Sequence, residues 1–136
     1  MIALGRQAAG GSLDGRRVAV LGVAFKPDSD DVRDSPSLAI CDRLVAEGAI
    51  VSAHDPVAMP SAARKQPALR YAASVFEAAA GADLVLHLTE WSDYRAIDPA
   101  ALAKVVACLV IIDARCCLDA DLWTSAGWTL HILGRP

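Results

Sequence analysis

RVAVLGVAFKPDSDDVRDSP, residues 17–36, is the stretch whose reading decides the fold. Val18, Val20, Leu21 and Val23 make an almost unbroken apolar run, the pattern of a parallel strand covered on both faces. The strand is predicted over residues 18–23, with Gly22 removing a side chain where the chain leaves the sheet. A polar loop follows over 24–35. A helix is expected from Pro36, because Ser35 suits the N-cap and proline suits the first helical position. In open α/β sheets, ligands gather at the carboxyl ends of strands, near the point where strand order reverses. The loop 24–35 is therefore the leading site candidate.

Within it, Lys26 is a flexible point charge able to reach a phosphate or a sugar hydroxyl. Arg33 presents a planar fork of donors suited to phosphate or carboxylate. Asp28, Asp30 and Asp31 lie between them and would repel a phosphate unless turned away, used as caps or paired with Arg33. Two readings stand side by side: a ligand loop, and a loop of solvated charges that only leads into the helix.

Outward from this stretch, apolar runs alternate with amphipathic segments. Residues 1–10 read as the end of a helix with little apolar surface of its own, closed by Gly10-Gly11. A helix is expected over 36–47, with Leu38, Cys41, Leu44 and Val45 on one face and Gly48 at its stop. Strands are expected over 49–53, 83–88, 109–112 and 128–133, with a short edge strand over 69–72. Residues 59–67 read as a polar, proline-flanked connection. Short helices are expected over 75–80, 94–97, 99–106 and 118–126. Strands alternating with helices imply a Rossmann-like, doubly wound, mostly parallel α/β sheet of about six strands with helices on both faces, in the order 3-2-1-4-5-6.

Composition narrows the function classes. The chain has 136 residues, one domain's worth, and 54% are hydrophobic but only 5% aromatic, so the core must be aliphatic. A net charge of −3 with no basic run interleaved with aromatics argues against a nucleic-acid surface. The apolar run 105–112 is far too short to span a bilayer, and no long apolar signal region opens the chain. A cytoplasmic protein without a membrane partner is the expectation. Cys41, Cys108, Cys116 and Cys117 match no zinc spacing, so no metal site is expected, and reduced thiols are the expected state. Asp55, at the end of the second strand, sits where dinucleotide folds hold a ribose. The first turn lacks GxGxxG, however, and Asp-Pro favours turns, so a structural role stands beside the ribose reading.

GVAFKPDSDDVRDSP at 22–36 resembles the signature of the C-terminal domain of the UDP-glucose/GDP-mannose dehydrogenase family. HDP at 54–56, LTEW at 88–91, DAR at 113–115 and GRP at 134–136 follow in the same order. The resemblance implies a nucleotide-sugar-binding C-terminal domain over 13–136, with 1–12 the end of a helix connecting it to the rest of an enzyme. It implies that Phe25, Lys26 and Arg115 bind the nucleotide-sugar and that Arg33 approaches NAD. Whole enzymes of this family carry an N-terminal NAD-binding domain and a central helical region, and are expected to be homodimers. They oxidise the sugar C6 alcohol to a carboxylate in two NAD+-dependent steps, through a cysteine nucleophile that lies outside this domain. The TEW form resembles members acting on UDP-glucose. One departure is Cys116, where the family commonly has Asn.

No catalytic residue is assigned in this chain. Cys116 and Cys117 lack a histidine near in sequence to activate them as a replacement nucleophile. With no dinucleotide fingerprint and no counterpart of the family's catalytic cysteine region, the resemblance implies that the chain alone is inactive. The contrasting expectation is a stand-alone Rossmann-like nucleotide-binding or regulatory module that works without catalysis.

Overall fold

A computed structural model describes residues 1–133. GRP at 134–136 lies outside the described residues. The elements in chain order are α1 (Ile2–Ala8), β1 (Arg17–Leu21), α2 (Pro36–Ala46), β2 (Ile50–His54), α3 (Met59–Lys65), β3 (Arg70–Tyr71) and α4 (Val75–Ala79). Then come β4 (Leu84–His87), α5 (Ser92–Arg95), α6 (Pro99–Leu102), β5 (Val110–Asp113), α7 (Ala120–Ser125) and β6 (Thr129–Ile132). The six strands form one sheet in the order β3-β2-β1-β4-β5-β6, and every pairing is parallel. The expected strand order is met. Strand order reverses between β1 and β4, so the exits of these two strands flank the switch point.

The apolar run of the opening stretch becomes the central strand. Val18, Ala19, Val20 and Leu21 are all buried, as are Leu84, Val85 and Leu86 of β4 and Ile111 and Ile112 of β5. Both faces are covered. Leu84 packs near Gly5 of α1, while His87, three residues on, meets the ring of Tyr94 in α5. Side chains three apart on a strand point to opposite faces, so α1 and α5 cover opposite sides of the sheet.

Several local expectations change. The helix expected over 99–106 ends at Leu102, and Val45, expected on the apolar face of α2, is 40% exposed. β1 ends at Leu21, two residues early, because Gly22 adopts φ +100 and turns the chain out of the ladder. A Cβ on Gly22 would stand 2.4 Å from Thr89 Cβ and 2.7 Å from Thr89 N, so only glycine lets the exits of β1 and β4 approach this closely. Residues 59–65, expected as a connection, form α3, with a proline in its first turn and Ala62 buried against the core. The N-terminal segment is helical as expected, but it does carry apolar surface: Met1, Ile2, Leu4, Ala8 and Ala9 all pack on the core. An Arg6–Glu47 ion pair joins α1 to the end of α2.

Ser35 caps α2 as expected. Its Oγ accepts from Leu38 N at 3.4 Å and donates to the carbonyl of Val23 at 2.8 Å, tying the helix start to the β1 exit. The buried polar residues are Ser35, Ser37, His54, Asp55, His87, Thr89 and Asp113. All of them stand at the carboxyl ends of strands or at the start of α2. Burying polar groups is costly unless they are hydrogen-bonded, so this clustering marks the end of the sheet where the chain is built for something besides packing.

Candidate functional site

Two buried aspartates organise that end of the sheet. Asp55, just beyond β2, is fully buried and receives five N–H groups. Its Oδ2 accepts from Val23 N at 3.0 Å, Ala24 N at 3.1 Å and Trp91 Nε1 at 3.2 Å. Its Oδ1 accepts from Val57 N at 3.0 Å and Ala58 N at 2.8 Å, at the approach to α3. Of the two roles weighed for Asp55, the structural one is met, and it is more extensive than a turn. Trp91 is buried and reaches inward to this carboxylate.

Asp113 plays the same part at the end of β5. Its Oδ1 accepts from His87 Nδ1 at 2.9 Å and Arg115 N at 3.0 Å, and its Oδ2 from Cys117 N and Leu118 N, both at 2.9 Å. Burial alone would push this carboxyl up. The hydrogen bonds from His87, Leu118 and Arg115, with the His87 ring beside it, outweigh burial and hold it at about 2. A carboxylate only accepts, so the facing His87 Nδ1 carries the proton. His87 Nε2 is buried without a partner, beside the Tyr94 ring packed edge-on at 5.7 Å. The Tyr94 hydroxyl meets His54, whose ring is pushed down by burial.

These two hubs set the arms of the site. Residues 23–25 are held at nearly every backbone group. Besides the bonds to Asp55 and Ser35, Thr89 Oγ1 donates to Ala24 O at 3.0 Å and Phe25 N donates to Asp31 O at 2.8 Å. The side chains of Phe25, 46% exposed, and Lys26 stand free on this fixed root. On the other side, Arg115 Nε donates to Leu88 O at 2.7 Å and lies 3.5 Å from Glu90 Oε2. Glu90 is half-buried against Arg115. Residues 88–90 thus touch both arms, Thr89 through Ala24 and Leu88 through Arg115. Beside Arg115 opens an apolar concavity of about 180 Å³, lined also by Pro36, Ile40, Leu88 and Ala114.

Arg33 is not brought to this concavity. Its guanidinium pairs with Asp31 at 3.1 and 3.2 Å, on the rim of a separate open cleft shared with Ser61, Arg64 and Lys65. The pairing considered for Arg33 is therefore formed, with most of its side chain still in solvent. Among the described residues no group of three or more His, Cys, Asp or Glu side chains is disposed to hold a metal ion. The β1 exit also does not fit a dinucleotide in the usual Rossmann cradle. There the pyrophosphate rests on backbone N–H groups after the first strand, whereas Val23 N and Ala24 N are both taken by Asp55.

The thiols match their sequence reading in part. Burial pushes Cys41 up to about 12. Cys117 is also pushed up by burial, and by Asp113 and Glu90 nearby, which opposes a nucleophilic role. Cys116 sits at φ +56, a region that Asn tolerates far better than most side chains. Sequence reasoning missed the His87–Asp113 pair. The available signal was one histidine inside the apolar run LVLHL, a buried polar group that must find a partner.

Parallel strands in this order, with cationic and aromatic side chains raised at the switch point and the first-strand amides taken by Asp55, define a doubly wound α/β domain without the usual phosphate cradle. The sequence profile described as "UDP-glucose/GDP-mannose dehydrogenase family, UDP binding domain" matches residues 19–120. The chain belongs to this family. It is 38% identical over 137 residues to a UDP-glucose 6-dehydrogenase of Rhizobium meliloti, covering 98% of this chain and 31% of that protein. It is 37% identical over 126 residues to UDP-glucose 6-dehydrogenase YwqF of Bacillus subtilis, covering 92% of this chain and 29% of that protein. Among solved structures, an NDP-N-acetyl-D-galactosaminuronic acid dehydrogenase from Methanosarcina mazei superposes with TM-score 0.83 at 31% identity, over 98% of this chain and 28% of its own. A UDP-glucose dehydrogenase from Pyrobaculum islandicum gives 0.67 at 32% identity, over 79% of this chain and 25% of its own. The chain thus spans under a third of the length of these relatives.

Proposed function

We propose that this chain is the substrate-binding part of an NAD-dependent nucleotide-sugar 6-dehydrogenase that converts UDP-glucose to UDP-glucuronate. The observation that carries the reading is the convergence of two arms, Phe25–Lys26 and Arg115, on residues 88–90 at the switch point. Lys26 and the free edge of the Arg115 guanidinium supply positive charge for a diphosphate and hydrogen bonds for a sugar. Phe25 offers an exposed aromatic face. The partial engagement of Arg115 by Leu88 O and Glu90 limits its rotamers, so less freedom is lost on binding. The relatives' names supply the sugar.

Oxidising a primary alcohol to a carboxylate needs two hydride acceptances, which NAD+ supplies when bound. This chain's own part is to hold and orient the sugar nucleotide. Arg33, exposed on the separate cleft, is the group that approaches NAD from this side, while an N-terminal NAD-binding domain and a central helical region carry the rest of the site. Residues 1–12 lead toward those parts, the whole enzyme is a homodimer in the cytoplasm, and the chain alone does not turn over. No described helix is long and apolar enough to cross a membrane.

Ligand-observed NMR of the chain with UDP-glucose, GDP-mannose and NAD+, beside Lys26→Ala and Arg115→Ala, tests this. UDP-glucose should bind selectively, and each substitution should weaken it about tenfold or more, the scale of one charge-assisted contact. Binding of NAD+ alone, or UDP-glucose affinity indifferent to both substitutions, would overturn the reading.

A further inference from the structure

In most dinucleotide-binding sheets the amides at the first strand's exit face the phosphates of a ligand. In this chain a protein carboxylate occupies that role. Asp55 Oδ2 lies 3.0 and 3.1 Å from Val23 N and Ala24 N, with Trp91 Nε1 as a third donor at 3.2 Å. We propose that Asp55 is a positioning residue for the nucleotide-sugar, an internal anion that occupies the phosphate cradle, fixes the root of the Phe25–Lys26 arm and so moves ligand recognition from backbone to side chains. The inference rests on the proposed role of Lys26.

The geometry favours positioning over simple packing. Asp55 contributes nothing to the strand ladder; its five donors all belong to strand exits or to the approach to α3. Its two amide contacts at the β1 exit fall one and two residues before Phe25. Trp91 links it to the β4 exit, where the adjacent Glu90 meets Arg115. One buried group therefore holds the root of the Phe25–Lys26 arm and, through Trp91, adjoins the residue that pairs with the Arg115 guanidinium. Asparagine cannot replace it fully, because both oxygens accept and an amide nitrogen would face N–H donors.

The test is a double-substitution cycle on UDP-glucose affinity in the 136-residue chain, using Asp55→Asn and Lys26→Ala, with the order of the backbone amides of Phe25, Lys26, Asp28 and Ser29 followed by 15N relaxation. Asp55→Asn should raise the mobility of these amides and weaken binding about tenfold. If Asp55 acts through Lys26, the double variant should be within about twofold of Lys26→Ala alone. Losses that multiply, or amides of unchanged order, would overturn the proposal. If the wild-type chain binds no UDP-glucose, the functional reading falls separately, and the amide order alone decides for or against Asp55. If Asp55→Asn does not fold, Trp91→Phe removes one donor from the same oxygen and carries the cycle, with the same non-additivity expected and the same additivity overturning it.

Discussion

Urea unfolding at a series of pH values isolates the contribution of Asp113, the carboxylate that fixes the backbone around Arg115. In the folded chain it is held at about 2, against an ordinary value of 3.8, because the hydrogen bonds from His87, Leu118 and Arg115 outweigh its burial. A depressed folded value means that the unfolded chain takes up the proton first as pH falls. The stabilisation is therefore complete well above pH 4 and is lost as pH drops toward 2. The difference between 3.8 and about 2 corresponds to about 2 kcal/mol at neutral pH, of which about half is gone by pH 3. Asp113→Asn provides the reference, since titrating groups that do not touch Asp113 cancel between the two chains. At pH 7 the variant should be less stable by about 3 kcal/mol, as one side of the amide faces N–H donors and His87 loses its anionic partner. Between pH 7 and pH 3 that gap should narrow by about 1 kcal/mol. A gap that stays constant across this range, or is absent at pH 7, would refute the assignment of Asp113 as an ionised hub.

Gly22→Ala should destabilise the chain by at least about 3 kcal/mol in the same assay, since φ +100 is unfavourable for alanine and the new Cβ would stand 2.4 Å from Thr89 Cβ; a loss below 1 kcal/mol would contradict the tight approach of β1 to β4. Cys116→Asn should stabilise by about 0.5–1 kcal/mol, because the residue sits at φ +56, and thermal or urea unfolding reads it directly. Iodoacetamide at pH 8 followed by peptide mass mapping should label the exposed Cys108 and Cys116 first, Cys117 slowly, and Cys41 only after unfolding, since Cys41 is buried and pushed up to about 12.

Much of the fold is legible because its signals are local. The valine run of β1, the Ser35–Pro36 start of α2 and the alternation of strands with helices need only neighbours in sequence, and together they carry the parallel sheet and its order. α3 escaped because residues 59–65 have the composition of a loop, and its approach is organised by Asp55 from outside the helix. The site was legible as a location and as residue types, since Phe25, Lys26 and Arg115 follow strand exits. Its wiring was not. Glu90 reads as a solvated charge until Arg115 arrives beside it, and His87 reads as an isolated polar residue until Asp113 faces it.

Sequence alone determined that this chain forms a doubly wound α/β sheet and that its first loop, with Lys26 and Arg33 set among aspartates, is the place to look, because hydrophobic periodicity, caps and side-chain charge are properties of short segments. Only the tertiary structure decided which groups are free to meet a ligand. Asp55 and Trp91 are 36 residues apart, His87 and Asp113 are 26 apart, and Leu88 and Arg115 are 27 apart. Their pairing arises when parallel crossovers bring separate strand ends side by side. That convergence removes Val23 N and Ala24 N from the ligand and leaves Phe25, Lys26 and Arg115 around the switch point.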